Sequence, residues 1–372
     1  MSDYFGKEVF KLGFGLMRLP HLEDGTNDIE QIKKMVDMFI EAGGTYFDTA
    51  YVYDGGKSEI AANEALVKRY PRESYTIATK LNAGMAPDKE SAMNQFNVSL
   101  ERLGCGYIDY YLLHAISDNN IAKYDEWGLW DYQKSLQEKG LIKYKGFSFH
   151  GTPELLDKLL TEHEVDFIQL QIYYADWENP GVQSRRCWEV ARKHNVSVTV
   201  MEPIKGGSLA NPHELVANVL KEANPDVSYA SWAVRYVASL DGIITVLSGM
   251  SNLAQMEDNT SYMRNFKPLS EEEQEVIKKA QDAFAKIPTI PCTACSYCTD
   301  GCPMQINIPA IFKAMNRKIM YNDVEGAKRE YGRAIDGRGK ASDCIQCGQC
   351  ESQCPQHIGI IEKLQEIAAE LD

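Results

Sequence analysis

The chain has 372 residues, 44% hydrophobic and 25% charged, an ordinary globular composition with room for one large domain and one small one. Its formal net charge of −14 disfavours nucleic acid and anionic membranes as partners. No run of about 18 apolar residues is present, and "MSDYFGKEVF" has no basic patch before an apolar stretch, so neither a membrane span nor a secretory signal is expected and the cytoplasm is the default compartment.

In chain order, the opening stretch "EVFKLGFGLMRLP" (8–20) reads as a hairpin plugging a barrel floor. "NDIEQIKKMVDMFIEAGG" (27–44) reads as a helix: Ile29, Ile32, Val36 and Phe39 fall at helical spacing, Asn27 can cap the start, and Gly43-Gly44 can end it. Seven segments read as strands: "TYFDTA" (45–50), "YTIATK" (75–80), "YIDYYLLH" (107–114), "IKYKGFSF" (142–149), "FIQLQIYY" (167–174), "SVTVMEP" (197–203) and "GIITVLSG" (242–249). Several are apolar on both faces, as parallel strands covered by helices must be. Between them, "SAMNQFNVSLERLG" (91–104) and "LWDYQKSLQEKG" (129–140) are helix-like and close on Gly.

Strands alternating with helices imply βαβ units. No Gly-x-Gly-x-x-Gly follows the first strand, which argues against a Rossmann domain, and about 250 residues suits a (β/α)8 TIM barrel. The eighth strand is then expected to be short and to lie between Ile204 and Leu240. "SEEEQEVIKKAQDAFAKIPTIP" (270–291) reads as a last helix and a linker, with Pro288 and Pro291 marking a boundary. The expected domains are 1–285 and 286–372. The first carries 29 Lys/Arg and 42 Asp/Glu, the second ten and eleven, so nearly all the negative charge belongs to the barrel.

Asp48, Lys80 and His114 end three successive predicted strands, and Tyr53 lies in the loop just after the first. In a barrel such ends meet at the face where active sites form. Taken singly, a Tyr after a strand is usually a packing residue and a lone His a satisfied core histidine; the joint placement is the signal. The set suits carbonyl reduction, because hydride addition builds negative charge on oxygen that needs a proton and positive neighbours. A free Tyr is a weak acid, with a pKa of about 10. A lysine ammonium beside it favours tyrosinate, and a carboxylate can hold that lysine in place. The histidine can hydrogen-bond the carbonyl oxygen. Trp127, Trp130, Tyr173, Tyr174 and Trp177 are aromatic candidates for the barrel mouth.

Eight of the ten cysteines lie in the last 81 residues. "CTACSYCTDGCP" from Cys292 and "CIQCGQCESQCP" from Cys344 share the Cys-x-x-Cys-x-x-Cys-x-x-x-Cys-Pro spacing of bacterial-type ferredoxins. In two-cluster ferredoxins the fourth cysteine serves the other cube. The expected ligand sets are therefore Cys292, Cys295, Cys298 and Cys354 on one 4Fe-4S cluster, and Cys344, Cys347, Cys350 and Cys302 on a second. Structural zinc usually takes paired Cys-x-x-Cys motifs instead of quadruple runs ending in Cys-Pro. Cys105 and Cys187 stand alone and read as buried structural thiols.

"FDTAYVYDGGKSE", "IATKL", "YIDYYLLH", "IKYKGFSFH" and "VLSGMSNLAQMEDN", in order between about residues 8 and 265, resemble the aldo-keto reductases. The resemblance implies a TIM barrel that binds NAD(P)H without a Rossmann fold. It makes Tyr53 the general acid, with Lys80 and His114 tuning it and Asp48 supporting Lys80. It implies nicotinamide contacts at Ser148, Gln169 and Met201, the last standing where many members stack a Tyr. Phe149 stands where the family often has Asn. It extends the nucleotide site through Pro203, Lys205 and Gly207 of "VMEPIKGG" to Ser248, Gly249, Gln255 and Asn259. Ser251 and Asn252 stand where many NADPH users carry Lys or Arg, which leaves NADP and NAD both open, since a 2′-phosphate wants a cation.

The segment between the cysteine runs reads mostly helical, so the tail resembles the α-helical ferredoxins, and nearly the whole chain resembles a subgroup of aldo-keto reductases that carries such a tail. The resemblance implies an oxidoreductase of small carbonyl or alcohol substrates whose clusters exchange electrons with the reaction or with a redox partner, a ferredoxin or a flavoprotein. Two alternatives stay open: the same reductase with clusters that only staple the tail, and a non-catalytic nucleotide-binding barrel on an electron-transfer tail. A flavin would split a hydride pair into single electrons, but no flavin motif is recognisable.

Overall fold

The computed structural model describes residues 3–4, 7–179, 182–299 and 301–372. The chain divides into two compact units, 1–206 with 230–277, and 207–229 with 278–372.

The first unit opens with an antiparallel pair, β1 (Asp3–Tyr4) and β2 (Lys7–Glu8). Eight parallel strands then close into a barrel: β3 (Leu12–Gly15), β4 (Tyr46–Asp48), β5 (Thr76–Leu81), β6 (Ile108–Ile116), β7 (Ile142–Phe149), β8 (Phe167–Gln171), β9 (Ser197–Met201) and β10 (Ile243–Ser248). Each pairs with its neighbour in sequence, and β10 pairs with β3 to close the ring. The eighth strand is therefore not between Ile204 and Leu240, where the described elements are helical. It is β3, inside the stretch read as a floor hairpin. Phe14 and Phe47 face outward onto Phe39 of the helix Ile29–Glu41, with ring centroids 5.8 and 5.2 Å from it. Gly13 turns the other way. A Cβ there would lie 2.6 Å from the Leu247 side chain, so the closing seam admits only glycine without a shift.

The helix Ile29–Glu41 buries Ile32, Met35, Val36 and Phe39, one stripe at helical spacing. Its cap is Asp28, whose carboxylate accepts from the Gln31 N–H at 3.0 Å, and not Asn27, whose amide donates to Asp54. The helix Lys89–Leu103 ends on Gly104 in the left-handed conformation, φ 63°.

Period-two alternation decides what enters the barrel. Tyr46, Tyr110, Tyr144 and Phe167 fill the lower interior, with ring centroids 4.7–5.2 Å apart around Tyr110. Val9, just after β2, is buried in this cluster. One further step up the same strands are Asp48, Leu112 and Gln169. The interior is thus a plug of rings under a polar layer, not a pore.

The second unit buries Ile306, Ile308, Ile311, Phe312 and Leu364 in a core of its own. Its main helices after the linker are Ile308–Tyr321, Val324–Ala334 and Ile360–Leu371. The two cysteine runs repeat in backbone as well as in sequence, with an offset of 52 residues. Ala294, Ser296 and Gln305 have positive φ, and so do their counterparts Gln346, Gly348 and His357. The helices Ile308–Tyr321 and Ile360–Leu371 begin at equivalent places. Among the described residues, no helix is long and apolar enough to cross a membrane.

Candidate functional site

Asp48, Lys80 and Gln169 face the barrel interior near the C-terminal ends of their strands, and all three are buried. Lys80 Nζ donates to Asp48 Oδ1 at 2.5 Å, to the Thr49 carbonyl at 2.7 Å and to Tyr53 Oη at 3.3 Å. Gln169 Nε2 donates to Asp48 Oδ2 at 3.1 Å. Each carboxylate oxygen is thereby occupied, which fixes the lysine under the phenol. Burial pulls the Lys80 ammonium down, but Asp48 and Tyr53 more than offset it, and its pKa lies above the ordinary lysine value.

Tyr53 reaches this group from a loop held at both ends. Ser58 Oγ, 2.7 Å from Thr49 Oγ1, donates to the Leu16 carbonyl, and Arg102 donates to the Tyr51 carbonyl at 3.1 Å. Sequence reasoning expected the lysine to draw the Tyr53 pKa down. Burial outweighs that pull, so the net shift is upward and the phenol stays protonated at neutral pH. The His114 ring stands edge-on to Tyr53, centroids 5.7 Å apart and planes at 76°. β6 loses its regular register between Leu113 and Ile116, and Ala115 has φ 55°. This irregularity falls at His114 and Ala115. Burial, helped by the Lys80 charge, lowers the His114 pKa to about 3, so its imidazole is neutral. His114 Nδ1 is buried with no hydrogen-bond partner among the described residues, a polar atom suited to a bound ligand.

In the second unit, the cysteines gather into two cavities. Cys292, Cys295, Cys298 and Cys354 line one, with about 320 Å³ of empty space. Cys344, Cys347, Cys350 and Cys302 line the other, with about 330 Å³. The fourth cysteine of each run has crossed to the other run's cavity. Ile308 lies between them and lines both. No three His, Cys, Asp or Glu among the described residues stand close enough for a single metal ion. Four thiols spread around an apolar hollow fit the corners of an iron–sulfur cube, not the tight tetrahedron of one zinc.

The aldo/keto reductase family model matches residues 11–282, nearly three quarters of the chain. The chain belongs to the aldo/keto reductase family. A 4Fe-4S dicluster domain model matches residues 291–359. The reductase is 26% identical over 304 residues to the uncharacterized oxidoreductase YqkF of Bacillus subtilis, covering 72% of this chain and 90% of that one. It is 25% identical over 280 residues to a Trypanosoma cruzi 9,11-endoperoxide prostaglandin H2 reductase, covering 73% and 88%. The structure of Bacillus halodurans aldo-keto reductase AKR11C1 in its holo form superposes with a TM-score of 0.61 at 26% identity, covering 74% of this chain and 93% of that one. A Klebsiella pneumoniae aldo-keto reductase in complex with NADPH shares the fold, with a TM-score of 0.59 at 18% identity and coverage of 75% and 95%. Family and fold together make this protein an NAD(P)-dependent oxidoreductase with a C-terminal 4Fe-4S domain.

The expected nucleotide contacts of the reductase are distributed along the strand ends. Ser148 Oγ accepts from the Ala115 N–H at 2.7 Å, and Met201 ends β9 half-buried, followed by buried Pro203. Lys205 pairs with buried Asp176 and donates to Tyr173 Oη at 3.3 Å, so its ammonium is engaged within the protein. Gly207 falls in the second unit. Ser248 and Gly249 lead into the helix Leu253–Met263, capped by Asn252, whose Oδ1 accepts from the Gln255 N–H at 2.9 Å. Asn259 is buried and donates to Ser248 Oγ at 2.7 Å, while Gln255 Oε1 accepts from the Ser251 N–H at 2.7 Å. A helix N-terminus after a glycine turn fits a phosphate.

Sequence reasoning passed over Arg18. Its guanidinium donates to the Gly206 carbonyl at 2.8 Å, and its side chain runs 3.8 Å from where a Gly249 Cβ would be. It is a cation beside the phosphate-type turn, contributed by the turn Leu16–Arg18 that follows β3. Trp130 stacks on His163 at 4.0 Å and edges against Phe147, while Tyr173 and Tyr174 are fully buried. Cys105 and Cys187 are buried, and burial raises their thiol pKa values to about 11 and about 12, as inert core thiols require.

Proposed function

We propose that this protein reduces aldehydes or ketones, or oxidises the matching alcohols, with Tyr53 as acid, and that its tail holds two 4Fe-4S clusters that exchange electrons. The observation that carries the reading is the buried Lys80 ammonium touching both the Asp48 carboxylate and the Tyr53 hydroxyl at the barrel's open end.

Tyr53 gives its proton to the carbonyl oxygen as that oxygen gains charge. Lys80 then stabilises the tyrosinate left behind. Asp48 keeps Lys80 charged and in place, and Gln169 locks Asp48. The neutral His114 imidazole orients the substrate oxygen by a hydrogen bond. Ser148, Gln169 and Met201 would hold a nicotinamide, which would supply the hydride that, with the Tyr53 proton, turns the carbonyl into the alcohol. The Ser248–Gly249 turn, the helix N-terminus behind it and Arg18 suit the nucleotide's phosphates, with Gln255 and Asn259 shaping that turn.

In this reading the reductase part covers 1–285 and the iron–sulfur part 286–372. The four thiols of each cavity hold one cluster, which supplies one-electron exchange. A hydride carries two electrons, so a pair-splitting flavin, on a docked flavoprotein, is the class of partner that would connect the two ends. Thiolate-bound clusters suit a reducing compartment, the cytoplasm.

Anaerobically purified protein tests both halves. It is expected to oxidise NADPH or NADH only when a carbonyl is added, one nucleotide per alcohol formed, and to carry iron and sulfide for two 4Fe-4S clusters. Iron for a single cluster, or no carbonyl reduction with either nucleotide across a broad aldehyde and ketone panel, would overturn the corresponding half.

A further inference from the structure

The 52-residue repeat in the tail lets equivalent positions around the two cavities be compared. The second cavity, with Cys302, Cys344, Cys347 and Cys350, is rimmed by Met304 and Ile345. Both are exposed, Met304 by 36% and Ile345 by 60%. Their counterparts at the first cavity are Gln356 and Thr293, which are polar. Cys347 is itself exposed, as is its counterpart Cys295 at the first cavity. Tyr297, also exposed, lines neither cavity. Apolar side chains thus stand exposed at one of two otherwise repeated sites, and such patches mark contact surfaces.

The basic residues near this rim are placed by Gly339. A Cβ there would lie 2.2 Å from the Met304 carbonyl oxygen, so the backbone of residues 338–340 rests directly against the rim. It carries Arg338 and Lys340, both exposed. The nearby acids include Asp372, which is exposed, accepts from the Ser342 N–H at 3.2 Å and feels the Lys340 charge. Asp343 Oδ2 accepts from the Lys340 N–H at 2.8 Å, and Glu351 Oε1 accepts from the Ile361 N–H at 2.9 Å. Asp336 is exposed. Between the runs, residues 303–343 hold eight Lys/Arg against five Asp/Glu, in a chain whose net charge is −14.

We infer that Met304, Ile345 and the edge at Cys347, flanked by Arg338 and Lys340, form the docking surface for a small acidic one-electron carrier protein. The inference rests on the reading of these cysteines as cluster ligands. An exposed ligand that shares a cavity rim with exposed apolar side chains is where an outside redox centre can come near. A patch of this size fits the small, transient contacts of electron transfer, with the cations setting orientation and encounter rate. One electron passes between the carrier's centre and the tail, in either direction, with no bond made or broken and no proton moved.

The test uses the holoprotein, a small acidic two-cluster ferredoxin as probe, and basic cytochrome c as the opposite-charge control. Binding is titrated calorimetrically at low and physiological salt. The ferredoxin is expected to bind and to weaken as salt rises. R338E/K340E is expected to weaken it by about tenfold, from two exposed charge reversals. I345E is expected to weaken it at both salt levels. Ferredoxin binding that is equal in wild type and both variants, or absent from wild type, or a preference for cytochrome c, overturns the surface. Iron content and dithionite-reduced EPR spectra of the same samples report separately whether the clusters are there. If they are missing, the reading beneath the inference has failed, not the surface.

Discussion

Removing the Tyr53 hydroxyl separates catalysis from architecture. In Tyr53→Phe the hydrogen bond lost among the described residues is the one from Lys80 Nζ, at 3.3 Å. Lys80 keeps Asp48 and the Thr49 carbonyl, so the stability cost is that of one ordinary hydrogen bond, about 1 kcal/mol. Loss of a general acid costs about 10²–10⁴ in rate, or roughly 3–5 kcal/mol of barrier. His114 cannot stand in, because its pKa of about 3 leaves it with no spare proton to give at neutral pH. The assay is steady-state carbonyl reduction, with nucleotide binding followed by tryptophan fluorescence. kcat is expected to fall by at least two orders of magnitude while nucleotide affinity stays within about twofold. In the wild type, kcat/KM for reduction should stay flat through neutral pH and fall only once the raised Tyr53 pKa is passed. A variant keeping a tenth of the activity, or a wild-type profile breaking near pH 6.5, would refute Tyr53 as the acid.

Three other outcomes follow from the same geometry. Lys80→Met leaves the buried Asp48 carboxylate without its cation and should cost about 3–5 kcal/mol of barrel stability by denaturant unfolding, much of it recovered in D48N/K80M. Because the folded pKa of His114 is depressed below its unfolded value, the unfolded chain takes up its proton first as pH falls. Barrel stability should therefore drop by about 2 kcal/mol between pH 7 and 5 from this group, and His114→Gln should flatten that slope. If the tail holds two clusters, Cys354→Ser should disturb the one in the cavity lined by Cys292, Cys295 and Cys298 and halve the iron content; an undiminished iron count would contradict Cys354 as a ligand.

The strand ends were legible because hydrophobic alternation marks strands, and a polar residue ending an apolar run stands out: Asp48, Lys80 and His114 all did. The cysteine runs were legible because their spacing is a local loop geometry that the backbone repeats, down to the left-handed residues at Ala294 and Gln346. β3 was illegible. "LGFG" has no β-branched residue and two glycines, so no propensity marks it as a strand, and at Gly13 a Cβ would lie 2.6 Å from the Leu247 side chain across the closing seam. Arg18, in the turn that follows that hidden strand, was missed with it.

The residues of the chain carry in themselves the alternation that makes a barrel, the three strand-end groups and the eight thiols, because each is a property of neighbours a few positions apart. Two things needed the folded chain. Which segment closes the ring depends on packing between residues 12–15 and 246–248, more than 200 positions distant. The state of Tyr53 depends on burial outweighing the pull of Lys80, a balance set by the depth of the site and not by which residues line it.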